Sequence, residues 1–449
     1  MSTFAKDHST PPARPMGLGL SAKLSGMMFL QYAIWGAWLP ILYPFLLNHR
    51  GFTADQTGLC LAAGALGAIF GPFLAGQLAD RFFATERLLA ASHLIGAGLV
   101  WLLARTADFP TFLALSAVYG FVYAPTIALT NALAFAHLPD RDRDFGSVRL
   151  WGTVGWIAAG IAVGQVLLRL HTPDEGTAES IAAAQNAGRA FAFELSAGLG
   201  VLMALFALTL PHTPPSPRPA EPLAWKAALG EIHMQPLLTL FLLAIPVSII
   251  HQFYFVFTSD FLTGIQNAAG SAAADRFAST VNQVFGVGGG GLMTIGQMTE
   301  IVVLALMPLL LVRLSKKTLL AIGLLAYAGR MALFAYAPQL GPVLVGVALH
   351  GLCFGCFIFV AFMLVDEHTS SDVRATAQNL FNLVFVGLGI IVGSWFSTSV
   401  VGKWASESGA MDYSRLFAVP MWIALACLAA LIVFYPARPR PRPRPALAA

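Results

Sequence analysis

Four ionisable side chains lie inside stretches of sequence that are otherwise apolar. They are Arg149, Glu194, Glu300 and Arg330. Charged groups in hydrocarbon are costly, so such residues usually face a water-filled cavity or a partner. Glu300, in GQMTEIVVLALMPLLLV (296–312), follows Gln297 by three residues and shares its helix face. A carboxyl group there can exchange a proton with a cavity. The alternative is that it only hydrogen-bonds a solute or pairs with an arginine.

A second polar stripe lies in SVRLWGTVGW, residues 147–156. Arg149, Thr153 and Trp156 are spaced i, i+4 and i+7, so they share one helix face. A ring can stack on Trp156 while the guanidinium and hydroxyl bind hydroxyl or carbonyl groups, which predicts a site for a polar solute that carries a ring. In the alternative, Arg149 extends to the cytoplasmic surface beside the charged segment DRDRD (140–144).

Other polar residues in apolar stretches allow two interpretations. Gln252, in IIHQFYFVF, either joins Gln297 and Glu300 in a central site or hydrogen-bonds a neighbouring helix. Glu194 and Arg330 have no polar companions at helical spacing, so we expect structural roles for them. The cysteines of CFGC (353–356) lie in an apolar helix without a second ligand pair, so we expect packing residues and no metal site.

Composition indicates the elements that position these residues. The 449-residue chain is 57% hydrophobic and 11% charged, whereas soluble domains carry about 25% charged residues. Apolar stretches long enough to cross a bilayer as helices recur along the chain, so we predict an all-α integral membrane protein with twelve transmembrane helices in two six-helix halves. The predicted spans are 21–47, 54–79, 87–106, 110–138, 147–169, 189–210, 236–262, 290–312, 318–338, 341–365, 374–401 and 414–435.

The distribution of basic residues predicts how the chain is oriented in the membrane. A proline-rich linker predicts where the chain divides into two bundles. Most Lys and Arg residues of the connections fall on one side if the N-terminus is cytoplasmic, so we expect both termini inside. The predicted parts are an N-terminal bundle (1–211), a linker (212–235), a C-terminal bundle (236–436) and a basic tail (437–449). The net charge of +4 follows from this topology and requires no nucleic-acid partner.

The segment GQLADRFFATER (76–87) resembles the loop signature between helices 2 and 3 of the major facilitator superfamily. Gly76, Asp80 and Arg81 match that signature, while a later glycine and one arginine do not. The resemblance implies that the three residues form a cytoplasmic latch that gates transport. It also implies a fold in which two halves rock about a central site.

Six further segments, spread over nearly the whole chain, are similar to the bacterial nucleoside:proton symporter family. They are FLQYAIWGAWLP (29–40), YAPTIALTNALAF (123–135), VRLWGTVGW (148–156), GQMTE (296–300), GRMALFAYA (329–337) and RATAQNLF (374–381). The resemblance implies substrate contacts at nine positions. They are Arg149, Thr153, Trp156, Gln252, Phe255, Gln297, Glu300, His350 and Phe354.

Three positions depart from the family pattern. Gly355 stands where the family has aspartate, Phe255 where some members have asparagine, and His350 where some have tyrosine. The missing carboxylate leaves Glu300 as the main acidic group of the expected site, so we assign proton coupling to Glu300.

The sequence therefore predicts a monomeric, proton-driven importer of nucleosides in the bacterial inner membrane. We expect protons, a nucleoside and the lipid bilayer as its partners, and no cofactor. Rival interpretations are a porter for another small polar solute, an exporter, or a membrane receptor or scaffold that does not transport. An enzyme is disfavoured because no nucleophile and base, metal cluster or phosphate loop stands in a coherent context.

Overall fold

The computed structural model describes residues 16–215, 229–267, 272–370, 374–407 and 409–436. Side chains at 68, 70–81, 142, 178, 272–275 and 375 lie outside this description. Within the described ranges all regular structure is helical, and twelve long helical stretches follow one another. They are α1 (Leu18–His49), α2 (Ala54–Arg81), α3 (Thr85–Arg105), α4 (Phe109–His137), α5 (Arg141–Leu170), α6 (Glu179–Ala207), α7 (Leu237–Asn267), α8 (Gly290–Arg313), α9 (Lys316–Tyr336), α10 (Leu340–His368), α11 (Thr376–Ala405) and α12 (Tyr413–Phe434).

Eleven of these described helices, all except α2, are long and apolar enough to cross a membrane. The prediction of an all-helical membrane protein is confirmed, with shifts at some helix ends. The helix α5 begins at Arg141, six residues before the predicted span, because the Asp140 side chain caps it by accepting from the backbone N–H of Arg143. The first part of α6 is a short helix, Ala178–Gly188, which is capped by Thr177, and the main part is Ala190–Ala207.

The helices pair in the same way in both halves of the chain. In the N-terminal half, α1 packs on α5, α2 on α4, and α3 on α6. In the C-terminal half, α7 packs on α11, α8 on α10, and α9 on α12. The halves meet where α5 packs on α8 and α2 on α11. This repetition is a structural repeat of the kind found in many secondary transporters, although the sequence shows no clear repeat.

The halves are bonded to each other at the end of the molecule that carries the α1–α2, α5–α6, α7–α8 and α11–α12 connections. We call it the closed end. The contacts join Asn48 to Asp260 (2.8 Å), the Gln165 side chain to the Gln283 carbonyl (2.9 Å), Arg189 to Thr263 (3.3 Å) and Lys403 to Asp55 in an ion pair. Within this end, Asn48, Arg189 and Asp260 line a cavity of about 210 Å³.

The glycine-rich segment FGVGGGG (285–291) also belongs to the closed end. The sequence favours a flexible external loop here, but in the structure 286–291 is buried and the backbone N–H of Val287 donates to Gly164 of α5 over 3.1 Å. Gly286 has φ of 75°, and a Cβ added to it would lie 1.9 Å from the Gly164 carbonyl carbon. Only glycine fits both the conformation and the approach.

Candidate functional site

Two glycines bring α8 and α10 together at the centre of the C-terminal half. A Cβ on Gly296 would lie 2.8 Å from the His350 Cβ, and one on Gly351 would lie 2.5 Å from the Thr299 backbone. The close approach places His350 Nε2 3.8 Å from Glu300 Oε2. Both residues are almost fully buried, with His350 2% exposed and Glu300 8% exposed. Glu300, separated from His350 by 50 residues of chain, therefore has an imidazole as its neighbour.

A row of aromatic rings crosses from one half of the protein to the other. Trp35 of α1 lies 6.0 Å from Trp156 of α5, measured between ring centroids. Trp156 lies 6.3 Å from Phe255 of α7, and Phe255 lies 6.1 Å from His350. All three neighbouring pairs are edge-to-face, so the row joins the two halves and ends at His350, the neighbour of Glu300. Trp156 and Phe255, both predicted site residues, meet here at the boundary between the halves.

Arg149 stays within the molecule, against α1. Its guanidinium lies over the Tyr32 ring at 4.0 Å from the centroid. A cation placed on an aromatic face is partly stabilised while its donors remain available to other groups. Thr153, one turn further along α5, is half-buried. Trp156 of the same stripe belongs to the aromatic row that ends at His350, beside Glu300, so the α5 stripe faces this region.

The two glutamines of the predicted site differ in their contacts. Gln297 is 6% exposed, and its Oε1 has no hydrogen-bond partner among the described residues. Buried polar atoms are usually bonded, so this carbonyl oxygen has capacity for a donor from outside the chain. Gln252 instead donates to Ser394 of α11 over 2.9 Å. In this conformation the Gln252 amide joins two helices of its own half.

The departure at Gly355 has a packing explanation. A Cβ at this position would lie 2.6 Å from Val303 Cγ1, so α8 and α10 touch where the family pattern has a carboxylate. Phe354, beside it, is half-buried and lies in the wide-turn segment Cys353–Phe359, which locally has π-helical hydrogen bonding. Such π-turns occur frequently at functional sites.

The remaining predicted residues lie away from this centre or outside the description. Glu194 pairs with Arg105 at 3.3 Å, and each side chain is 47% exposed. The four cysteines are free and buried, as expected for packing residues. The side chains of Gly76, Asp80 and Arg81 lie outside the described residues, so the gating role predicted for them stays a prediction. The tail 437–449 and most of the linker, 216–228, also lie outside.

The structure adds residues to the centre that sequence spacing did not single out. Tyr32 and Trp35 of α1 contact Arg149 and Trp156. The sequence feature that could have indicated them is the aromatic and polar segment QYAIWGAW (31–38). Tyr254 enters through α7, stacked on His350 at 5.0 Å. Arg330, assigned a structural role from the sequence, donates to His350. These contacts join different helices, so no local spacing predicts them.

Twelve helices in two similarly paired halves, with predicted site residues from both halves meeting at the boundary between them, define a membrane transporter of the major facilitator type. The sequence profile described as "Nucleoside H+ symporter" matches residues 18–440. The chain belongs to the nucleoside H+ symporter family, whose members are transporters and not enzymes.

Relatives and solved structures agree with this assignment. The chain is 32% identical over 392 residues to the putative nucleoside transporter YegT of Escherichia coli K12, covering 83% of this chain and 82% of the relative. It is 27% identical to the xanthosine permease of the same organism, covering 93% and 96%. A crystal structure of the nucleoside transporter NupG matches with a TM-score of 0.76 at 23% identity, covering 92% of this chain and 98% of NupG. That structural match shows the fold.

Proposed function

We propose that this protein imports nucleosides together with protons across the bacterial inner membrane, by alternating access to one central site. The observation that carries the proposal is that Trp156 and Phe255, predicted site residues from different halves, lie with their ring centroids 6.3 Å apart at the point where the halves meet. A site divided in this way is exposed to one side or the other as the halves rock. Family membership and the names of the relatives supply the substrate class.

The site residues have distinct roles in this proposal. Trp156 and Phe255 stack on the base, with Phe354 as a further aromatic contact. Arg149 and Thr153 bind hydroxyl or carbonyl groups, and the unpartnered oxygen of Gln297 accepts from a hydroxyl or amino group of the nucleoside. Glu300 carries the exchangeable proton, with His350 beside it. Gln252 reaches the nucleoside in a state in which it releases Ser394.

The conformation supports an inward-facing assignment. We assign the closed end to the periplasm and both termini to the cytoplasm, so this conformation is closed towards the periplasm. The bundles 1–211 and 236–436 move relative to each other, joined by the linker 212–235 and gated by Gly76, Asp80 and Arg81. The protein works as a monomer within the lipid bilayer, because each chain contains both halves of the site.

Uptake competition in a host that lacks its own nucleoside transporters tests the substrate class. A labelled nucleoside is offered with an excess of unlabelled nucleosides, nucleobases or sugars, with and without a protonophore. We expect nucleosides to compete and the protonophore to abolish accumulation. Competition by sugars or nucleobases alone would assign the protein to another polar solute. That rival interpretation is considered because Gly355 stands where the family pattern has a carboxylate. Binding without accumulation in proteoliposomes would indicate a receptor.

A further inference from the structure

Arg330 of α9 is a buried cation without a carboxylate partner. Its side chain is 0% exposed, and no Asp or Glu of the described residues lies within ion-pair distance of it. Its Nε and Nη2 atoms have no hydrogen-bond partner among the described residues. Burying a guanidinium in this way is costly, so a purely structural role explains it poorly.

The contacts of Arg330 are two aromatic rings and one imidazole. The guanidinium lies 4.2 Å from the ring centroid of Tyr254 and 5.0 Å from that of Tyr327. Its Nη1 lies 3.1 Å from His350 Nδ1. The rings offset part of the desolvation cost through cation–π attraction. The bond to His350 is the only hydrogen bond of the guanidinium among the described residues. Its effect on the imidazole is therefore the main chemical role open to Arg330.

The chemistry of this bond specifies the tautomer of His350. A guanidinium has N–H donors and no acceptor, so His350 Nδ1 must present its lone pair. A neutral imidazole then carries its hydrogen on Nε2, the atom that lies 3.8 Å from Glu300. Arg330 thus directs a donor at Glu300 through the imidazole, although it lies on a different helix from either residue.

We propose that Arg330 is a positioning residue for proton coupling: it holds His350 neutral, with its hydrogen on the Nε2 atom that lies nearest Glu300, so that Glu300 and not the imidazole carries the exchangeable proton. The inference rests on the proposed function, in which Glu300 couples proton and nucleoside movement. It adds Arg330, which lies outside the proposed substrate contacts, to the residues that control proton coupling. It also assigns His350 a role as a hydrogen-bond donor.

The groups around His350 support this assignment. From α7, His251 stacks on His350 at 5.5 Å and Tyr254 at 5.0 Å. The α8 helix contributes Glu300, α9 contributes Arg330 and Tyr327, and α10 itself contributes Cys353. A second proton on His350 would need Nδ1, the atom that accepts from Arg330, and would place two cations 3.1 Å apart. Without Arg330, His350 is free to become an imidazolium and to hold Glu300 as its carboxylate partner.

The first test is the pH profile of nucleoside uptake in Arg330→Met and Arg330→Lys. Arg330→Met removes the donor, so an imidazolium forms at acidic pH, pairs with Glu300 and prevents its protonation. We expect uptake to fall by about tenfold at acidic external pH, as for loss of a charge-assisted hydrogen bond, and by less at alkaline pH. Arg330→Lys keeps a cationic donor and is expected to retain the wild-type profile. Membrane abundance is measured for each variant.

The second test repeats the substitution in a His350→Gln background. The Gln amide keeps a donor near the Nε2 position and cannot become an imidazolium, so Arg330→Met should change the pH profile far less there than in the wild type. An equal fold-change in both backgrounds would overturn the proposal, because a structural role of Arg330 acts on any residue at 350.

A spectroscopic readout separates this proposal from the proposed function. In protein labelled with ¹⁵N-histidine, the His350 signals are assigned by their loss in His350→Gln. We expect a protonated Nε2 and an unprotonated Nδ1 in the wild type, and a ring that gains a second proton at acidic pH in Arg330→Met. A wild-type ring protonated at Nδ1 would overturn the proposal. If no nucleoside is accumulated, the proposed function fails while the tautomer is still measured.

Discussion

Asn48 donates a hydrogen bond of 2.8 Å from Nδ2 to Oδ1 of Asp260, across the boundary between the two halves at the closed end. The other carboxylate oxygen of Asp260 accepts from Tyr413 Oη over 2.8 Å, within the C-terminal half. Asp260 therefore ties α1 to α12 through α7. Since the bond between Asn48 and Asp260 exists only while this end is closed, it stabilises the present conformation relative to one that is open at this end.

Asp260→Ala should shift the population towards the conformation in which the closed end opens. Losing the bond to Asn48 weakens closure by about 1–3 kcal/mol, because the Asn48 amide is left without its partly buried acceptor. Spin labels on cysteines substituted for the exposed residues Glu175 and Glu407 report the separation of the halves. The native cysteines are buried and compete little for the label. We expect a longer distance component in the variant.

Asp412→Ala is the matched control for this measurement. Asp412 lies near the same end, but it caps α12 by accepting from the Arg415 backbone N–H, entirely within one half. Its removal should leave the label distances unchanged. Identical distance distributions in wild type and Asp260→Ala would show that Asn48 and Asp260 do not set the equilibrium.

Arg149→Ala should lower nucleoside uptake by about tenfold or more, since a charge-assisted hydrogen bond to substrate is worth about 1.5–3 kcal/mol. Arg149→Lys keeps the charge beside Tyr32 but loses the planar fork, so we expect an intermediate loss. Uptake kinetics at equal membrane abundance measure both. Arg143→Ala is the control on the same helix, because Arg143 pairs with Asp144 near the start of α5. Full activity of Arg149→Ala would exclude this arginine as a substrate contact.

The helices were predictable because bilayer-spanning stretches need only length and apolar composition. The ends of the helices were less predictable. For example, the cap formed by Asp140 lets α5 begin before its apolar segment. The α5 stripe and the pair Gln297 and Glu300 were predictable from spacing along single helices. Partners on other helices were not: Arg330 meets His350 only because α9 packs against α10, and Glu300 meets His350 only because Gly296 and Gly351 let α8 and α10 touch.

Gly355→Ala should destabilise the protein by about 1–3 kcal/mol, the usual cost of overpacking. The added Cβ would lie 2.6 Å from Val303 Cγ1, a branched side chain on a packed helix. Thermal unfolding in detergent measures the effect. Gly341→Ala, on the same helix with nothing within 4 Å of the added Cβ, is expected to be neutral or stabilising. Combining Gly355→Ala with Val303→Ala should recover part of the loss. A fully stable Gly355→Ala would contradict the packing explanation of the missing carboxylate.

Glu300→Gln should abolish accumulation of nucleoside against a gradient while leaving nucleoside exchange. Glutamine preserves the shape and one hydrogen-bonding oxygen of Glu300 but cannot titrate, so protonation and solute binding are no longer linked through the same states. Proteoliposomes measure both: counterflow exchange should persist and lose its pH dependence, whereas uptake driven by an imposed pH gradient should disappear. Glu194→Gln, in the half-exposed pair with Arg105, should accumulate normally. Proton-driven accumulation surviving in Glu300→Gln would exclude it as the coupling group and direct attention to Glu194, His251 and His350.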